Sequence, residues 1–352
     1  MKKATILAMG LMGLAFAQTE AQTTDISGMD NVVYIENTSV NTHGEKTEIT
    51  ASVMMKNTDV ICGFEFNLVL PDGVTVPKDD DGYYLIELSS ERTTARKHNI
   101  FESVLKEDGS IYLLCNSTKS STFSGNSGEV ATITFCVDGD VPTGNCEVTL
   151  HNQVITKSDA STIKPGDITS VITVTAPQSL NTYGFATYSC NADMKISGGT
   201  AFTAVVDGTS IVCNAIEDNI IPAYTGVLIY SENAADISFT PATFTSSLPA
   251  NDLLPTTTSA GVAEVPATGY VYVLNDNKFC HFIGTKFTIN KAYFNLSSTP
   301  AARMNIIIDE GAGIDAIRVD ESSNDVYDMQ GHKLRAPQTG LHIINGQAKF
   351  VK

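Results

Sequence analysis

The chain has 352 residues, of which 42% are hydrophobic, and a formal net charge of −17 at pH 7. This length allows two domains, and the acidic balance disfavours a nucleic-acid partner because it repels phosphates. The seven cysteines cannot all pair within one chain, and without a C-x-x-C spacing they predict no zinc or redox site.

Residues 1–17 have the pattern of a signal peptide. Lys2 and Lys3 form a positive start, residues 4–14 are apolar but too few to span a bilayer, and residues 15–17 read Ala-Phe-Ala, as before a cleavage site. The first cysteine is Cys62, so we expect no lipid anchor on a cysteine directly after the apolar run, and no later segment is apolar enough to cross a membrane. We expect an exported protein, whose net charge falls from −17 to −19 when the two lysines are removed.

Residues 23–175 carry apolar side chains at every second position, which is typical of strands with one buried face. Gly, Pro, Asn and Asp separate these short strands, as in an antiparallel sandwich. Residues 89–106 are the one stretch in which we expect a helical turn. The alternating sets are Ile49, Ala51, Val53 and Met55; Phe64, Phe66, Leu68 and Leu70; Ile133, Phe135 and Val137; and Cys146, Val148 and Leu150.

A second strand-rich block covers residues 177–309, with the runs GVLIYSE, GYVYVLN, KAYFNLS and RMNIIID. Residues 310–324 lack a strand pattern and are predicted to be a linker, and residues 325–352 are predicted to form a short, basic β tail. The predicted fold class is therefore all-β, with two antiparallel β-sandwich domains of jelly-roll or immunoglobulin-like type and a short C-terminal β segment. Two cysteine pairs stay open as alternatives to free thiols: Cys136 with Cys146, and Cys190 with Cys213.

Three motifs follow one another in the first block: GFEFNLVLPDGVTV at 63–76, DGSIYLLCNS at 108–117, and a longer stretch at 123–156 that ends in LHNQVIT. In this order they resemble the cohesin-like domains, which share a superfamily with cellulose- and chitin-type carbohydrate-binding modules. The resemblance implies a nine-strand sandwich that binds a protein module or a glycan through one exposed sheet face. The candidate partner face is then the outward set Glu65, Asn67 and Val69.

The tail has a strand, a proline-bearing turn and a final strand that ends in a basic residue. This order resembles the C-terminal sorting domains of type IX secretion, with His342 where tyrosine is usual. The resemblance implies that the secretion machinery is a partner and that the protein is secreted or lies on the outer surface of a Gram-negative bacterium. YGFATYSC, IPAYTGVLIYSE and INKAYFNLS in the second block resemble sandwich domains that often precede such tails, which implies no activity. The tail residues that carry the match are Tyr327, Asp328, Gly331, Pro337, Gly340, Leu341 and Lys352.

The motifs that suggest chemistry are incomplete. GNSG at 125–128 lacks the last spacing of a G-x-S-x-G nucleophile elbow and precedes a strand rather than a helix. G-x-G-x-x-A at 311–316 lacks the helix that a dinucleotide site requires. We predict no catalytic residue, no cofactor and no metal centre, and therefore no enzyme. The acidic run Asp79, Asp80 and Asp81 is interpreted as a solvated turn, with weak calcium binding as the alternative.

Sugar-binding faces usually rely on aromatic rings, and this chain has no tryptophan. The candidate rings are Tyr83 and Tyr84 beside the acidic run, Tyr112 on a strand, and Tyr270 with Tyr272, which share one strand face. Half-buried tyrosines without a ligand are the commoner structure at such positions.

We therefore predict an exported, non-enzymatic binding or scaffold protein, secreted or on the cell surface, that contacts a glycan or protein partner of the cell envelope through its sandwich domains. One alternative is a polysaccharide-processing enzyme with an unrecognised acidic site, which requires two carboxylates across a cleft. The other is a structural surface or fimbrial subunit, which would expose an edge strand for another chain.

Overall fold

A computed structural model describes residues 24–93, 97–298 and 302–308, together with the backbone of short strands in the tail. It confirms the all-β prediction, since the regular elements described are strands apart from one 3-10 turn at Glu217–Asn219. Within this part of the chain, no helix has the length and apolar character needed to cross a membrane. The predicted signal peptide and the predicted linker at 310–324 lie outside the described residues.

The first twelve strands build the first sandwich. They are β1 (Val32–Ile35), β2 (Thr38–Asn41), β3 (Thr47–Lys56), β4 (Ile61–Val69), β5 (Val74–Thr75), β6 (Ile86–Leu88), β7 (Asn99–Leu105), β8 (Ile111–Asn116), β9 (Ser127–Val137), β10 (Gly144–Lys157), β11 (Thr162–Ile163) and β12 (Ile168–Thr175). One sheet, called here the β4 sheet, has the order β2-β12-β10-β4-β8-β7, with β11 on β10. The other, the β3 sheet, has the order β1-β3-β9-β5, with β6 on β9. The pairs are antiparallel except for β2 with β12.

The predicted alternation places the core of this sandwich. Phe64, Phe66 and Leu68 on β4 point inward and are almost completely buried. They meet the inward residues of β3 and β9, such as Val53 and Phe135, in one cluster between the sheets. Each buried side chain of this size stabilises the fold by about 1.5–3 kcal/mol. The residues between them on β4 therefore point away from the core, toward solvent.

The next fifteen strands build the second sandwich. They are β13 (Gln178–Ser179), β14 (Phe185–Tyr188), β15 (Met194–Ser197), β16 (Thr200–Asp207), β17 (Ser210–Ala215), β18 (Ile220–Ile221), β19 (Val227–Tyr230), β20 (Asp236–Pro241), β21 (Leu254–Pro255), β22 (Thr257–Thr258), β23 (Gly261–Val262), β24 (Tyr270–Asn275), β25 (Lys278–His281), β26 (Ala292–Leu296) and β27 (Arg303–Ile308). The β16 sheet has the order β14-β19-β16-β17-β27-β25-β24-β26-β21, and the β15 sheet has the order β13-β20-β15-β18. Strands β22 and β23 form a separate pair.

The β16 sheet is buried on both faces in its middle. Phe202 and Leu228 belong to a cluster on one face, with Phe279 and Phe294. Ile229, next to Leu228, belongs to another cluster on the opposite face, against the β15 sheet. Strand β19 is therefore buried at all four positions rather than at every second one.

The described tail strands are β28 (Val326–Tyr327), β29 (Lys333–Leu334), β30 (Gly340–Ile344) and β31 (Gln347–Val351). They pair in the order β29-β28-β30-β31, and each pair is antiparallel. Of the predicted sorting residues, Tyr327, Gly340 and Leu341 lie on these strands. Asp328, Gly331, Pro337 and Lys352 lie outside the described residues.

The helical turn expected within residues 89–106 is not found in the described part of that stretch. Asn99–Leu105 forms β7 instead, which pairs with β8 at the edge of the β4 sheet. Ile100 of β7 packs against the first core. The charged residues of this segment show no regular hydrophobic period. The edge of β8 instead offers backbone hydrogen bonds to the seven residues of β7.

All seven cysteines are free thiols, so neither of the two pairs left open by the sequence forms. Cys136 lies on β9 and Cys146 on β10, in different sheets. Burial raises the pKa of Cys115 to about 12 and that of Cys213 to about 12. Such thiols carry little thiolate at neutral pH and serve as small apolar core groups.

Candidate partner-binding face

The three predicted partner residues share the outer face of β4. Glu65 and Asn67 are half-buried between neighbouring strands, and Val69 has 42% of its surface exposed. Val69 is the last residue of β4, and an exposed valine on a sheet face is a site where a partner can remove apolar surface from water.

The strands beside β4 extend this surface. Asn67 lies in register with Tyr112 on β8 and with His151 on β10. Tyr112 lies in register with Val104 on the edge strand β7, and Val104 is 41% exposed. The surface is called here the β4 face and consists of Glu65, Asn67, Val69, Val104, Tyr112, Leu114, Thr149 and His151.

Polar contacts hold the side chains of the β4 face in place. The Tyr112 hydroxyl donates a 2.6 Å hydrogen bond to Glu65 Oε2, and Lys106 Nζ lies 4.4 Å from the centre of the Tyr112 ring. At the other side, His151 Nδ1 lies 2.7 Å from Asp167 Oδ2. This hydrogen bond lowers the pKa of the Asp167 carboxyl, which therefore stays charged.

The β4 face thus has aliphatic groups spread over three strands and charged groups beside them. Val69, Val104 and Leu114 supply the apolar area, while Lys106 and Asp167 lie near its border. The strand register places Asn67 and Tyr112 between Val69 on β4 and Val104 on the edge strand β7, so the face mixes exposed aliphatic and polar side chains, as protein–protein contacts commonly do. The Tyr112 ring already carries Lys106 on one side, which leaves it less suited to stack against a sugar.

The tyrosines proposed as glycan platforms are not brought together. Tyr83 is 68% exposed, whereas Tyr84 is half-buried against the first core with Lys78 Nζ 4.5 Å from its ring centre. Tyr270 is 40% exposed, at the start of β24. Tyr272 is fully buried, because the middle of β24 lies in a core, and its ring is closed to a ligand. The predicted pair on one strand face is therefore reduced to Tyr270.

The acidic run forms a tight turn. Asp79 Oδ1 accepts hydrogen bonds from the amides of Asp81, at 3.0 Å, and Tyr83, at 2.8 Å. This is the ordinary role of aspartate in a turn. Among the described residues, no group of three or more His, Cys, Asp and Glu side chains is placed to hold a metal ion. Weak calcium binding by Asp79, Asp80 and Asp81 stays a prediction.

Sequence reasoning missed most of the β4 face. It identified Glu65, Asn67 and Val69 from the alternation along one strand, and it considered Tyr112 only as a ring for sugars. Val104 and His151 join them through strand pairing, which connects residues 37 and 84 positions away from Asn67. No local pattern in the sequence reveals that pairing.

No protein-family model and no curated protein matches the chain. Among solved structures, a type I cohesin from Clostridium thermocellum, solved as a cohesin–dockerin complex, is 14% identical with a TM-score of 0.34, covering 41% of this chain and 99% of that one. A type I cohesin from Pseudobacteroides cellulosolvens is 21% identical with a TM-score of 0.33, covering 42% and 94%. A cohesin module of a family 33 glycoside hydrolase from Clostridium perfringens is 9% identical with a TM-score of 0.32, covering 42% and 96%. Each match spans nearly all of a cohesin module but less than half of this chain.

Proposed function

We propose that this chain is an exported, non-enzymatic binding protein that holds a protein module on the β4 face. The observation that carries the proposal is the position of Val69 and Val104, two exposed valines on a sheet whose inner face is the core of the first sandwich. Polar groups already paired with each other surround them, so a partner would bury apolar area without breaking many hydrogen bonds.

A protein partner is favoured over a glycan by the state of the aromatic rings. Tyr112 is the tyrosine on the β4 face, and its side chain contacts Lys106 and Glu65. Tyr83, the most exposed of the candidate tyrosines, lies on a turn and not on this face. A module with an aliphatic surface is therefore the partner class to test first, and a dockerin is the first such module to try.

Export rests on both ends of the sequence. The signal-peptide pattern at 1–17 supports entry into the periplasm, and the tail pattern from Tyr327 to Lys352 supports recognition by a type IX secretion machinery. On this proposal the β4 face operates outside the cell, on the envelope or in the medium.

The test is a change of one exposed valine. Val69→Arg replaces an exposed aliphatic side chain of the β4 face with a charged one, and we expect capture of an envelope protein by the immobilised chain to be lost. Titration of the purified binder should then show affinity at least about tenfold weaker, a loss of about 1.4 kcal/mol.

Thr50→Arg is the matched control, because Thr50 is an exposed strand residue on the outer side of the β3 sheet, paired with Thr134. It should bind as the unchanged chain does. Equal binding by Val69→Arg and the unchanged chain would rule out the β4 face. Glycan-array binding that disappears in Tyr83→Ala would instead point to a sugar ligand.

A further inference from the structure

The two sandwiches are joined by a very short connection. Strand β12 ends at Thr175 and β13 begins at Gln178, so Ala176 and Pro177 alone separate them. On the side of the first sandwich, the Ala176 amide donates to Thr143 Oγ1 at 3.1 Å. On the side of the second, Lys291 Nζ donates to Gln178 Oε1 at 3.1 Å. A hydrogen bond to the first sandwich therefore holds Ala176, and one within the second sandwich holds Gln178, the residue that follows the connection.

Asn191 of the second sandwich bonds to the main chain of the first. Its Nδ2 donates to the Asn145 carbonyl at 2.9 Å, and its Oδ1 accepts from the Asn145 amide at 2.7 Å. The side-chain amide thus imitates a neighbouring strand. Gly144 makes this approach possible, because a Cβ at that position would overlap Asn191 Oδ1.

Asn290 makes a second contact beside the first. Its Nδ2 donates to the Thr143 carbonyl at 3.0 Å and to the Ser189 carbonyl at 2.7 Å, and the residue is 9% exposed. Its backbone is left-handed, with φ of 58°, a conformation that asparagine tolerates better than most residues. Its own amide donates to Thr257 Oγ1 at 3.1 Å.

Both asparagines are held firmly within the second sandwich. The Ser189 hydroxyl donates to the Lys291 carbonyl at 2.6 Å, which ties together the segments on either side of the contact. Asp193, two residues after Asn191, accepts from the amides of Ala223 at 2.7 Å and Phe244 at 2.8 Å. The backbone beside each asparagine is thus tied to other segments of the second sandwich.

We infer that Asn191 and Asn290 form an amide clasp on the main chain of residues 143–145 that locks the two sandwiches into one rigid body. The clasp binds main-chain groups of Thr143 and Asn145 and requires that Gly144 has no side chain. It therefore binds a Thr-Gly-Asn segment of the same chain. The hydrogen bond from Asn290 to the Thr143 carbonyl is buried and costly to leave unmade, and this favours the locked arrangement. The inference does not depend on what the β4 face binds.

The test uses the full chain and ¹⁵N relaxation in solution. In the unchanged chain, amides of both sandwiches should report one common tumbling time, as a rigid body requires. In Asn191→Ala/Asn290→Ala, each sandwich should tumble faster and independently, and hydrogen exchange of the Asn145 amide should quicken by about tenfold or more.

Asn181→Ala is the matched control, since Asn181 bonds within the second sandwich, to the Asp276 carbonyl and the Tyr183 amide. It should leave the common tumbling time and the Asn145 amide unchanged. A common tumbling time that persists in the double variant would overturn the clasp.

Gly144→Ala gives an independent test from the first sandwich. Its added Cβ should expel Asn191 and quicken exchange at Asn145 in the unchanged background, and should change little once Asn191 is alanine. The strain of alanine at the φ of Gly144 is present in both backgrounds and cancels in the comparison. Equal effects of Gly144→Ala in both backgrounds would refute the clasp.

Discussion

Arg92 is almost fully buried, and its guanidinium donates four hydrogen bonds. The acceptors are the carbonyls of Ser124 and Gly125, at 2.6 and 2.7 Å, the Met55 carbonyl at 2.8 Å and Asn57 Oδ1 at 2.7 Å. A buried charge is tolerated when its donors are satisfied in this way. Arg92 therefore fastens the turn that follows β6 to the ends of β3 and β9.

The buried His98 predicts that the free energy of unfolding decreases at acid pH. Its ring is 3% exposed and stacks on Phe123, with 4.1 Å between ring centres. Burial lowers the pKa of His98 from its ordinary value of 6.5, helped by Lys97 and opposed by the Ser121 backbone. The unfolded chain then binds a proton that the folded chain does not, so the free energy of unfolding falls as pH drops below about 6.5. Each unit of lowering costs about 1.4 kcal/mol once the pH is below both values.

The measurement is urea unfolding at about pH 7.5 and pH 5.5. His98→Phe keeps an aromatic ring against Phe123 and removes the titration, so its free energy of unfolding should fall less between these pH values than that of the unchanged chain. His43→Asn is the control, because His43 is exposed and asparagine tolerates its φ of 47°. An equal fall in the free energy of unfolding of His98→Phe and of the unchanged chain would show that His98 does not cause the loss of stability at acid pH.

At the scale of elements, alternation predicted which side chains are buried in strands with one buried face, but not in strands such as β19, which is buried on both faces. The inward residues of β3, β4 and β9 were identified correctly, because the other side of each strand meets solvent. Tyr270 and Tyr272 have the same parity on β24, yet one is at the end of the strand and the other inside a core. Which residues of a strand are buried depends on where the neighbouring strands cover it, and the local sequence does not encode that arrangement.

Strand β10 shows a second limit of the pattern. Its register with β4 shifts between His151 and Val154, where Asn152 adopts a φ of 54°. The bulge turns Gln153 inward, and Gln153 Oε1 accepts from the Val33 amide at 3.2 Å. The bulge lets β10 continue to Lys157.

The close packing of β4 beside β8 predicts that a methyl group added at Gly63 lowers the stability of the fold. A Cβ on Gly63 would lie 2.8 Å from Asn116 Oδ1 and 3.0 Å from the Cys115 carbonyl oxygen. Asn116 Oδ1 cannot retreat freely, because it accepts from the Ser117 amide at 2.7 Å. Gly63→Ala should therefore destabilise the first sandwich by about 1–3 kcal/mol in chemical unfolding.

Asn67→Ala supplies the comparison on the same strand, since Asn67 points outward and leaves room for a smaller side chain. Its effect should be within about 0.5 kcal/mol. If Gly63→Ala were as stable as Asn67→Ala, the close approach of β4 and β8 would not constrain this position.

At the scale of the whole molecule, the tail strands pair with one another in the order β29-β28-β30-β31, and the strand ladders of both sandwiches run without them. Among the residues that the structure describes, deleting residues 325–352 therefore removes no ladder partner from either sandwich. The tail also carries a basic sequence on a chain whose net charge is −17, which is consistent with a segment that is recognised separately.

Deletion of residues 325–352 should change the destination of the protein and not its fold. We expect the melting temperature to stay within about 2 °C of that of the full chain, because the sandwich cores are kept. Cell fractionation should then find the truncated protein in the periplasm, since the proposed signal peptide would act before the tail. Deletion of residues 1–17 is the control and should hold the protein in the cytoplasm. A truncated chain that still reaches the surface would exclude a sorting role, and one that loses its cooperative unfolding would make the tail a structural part of the fold.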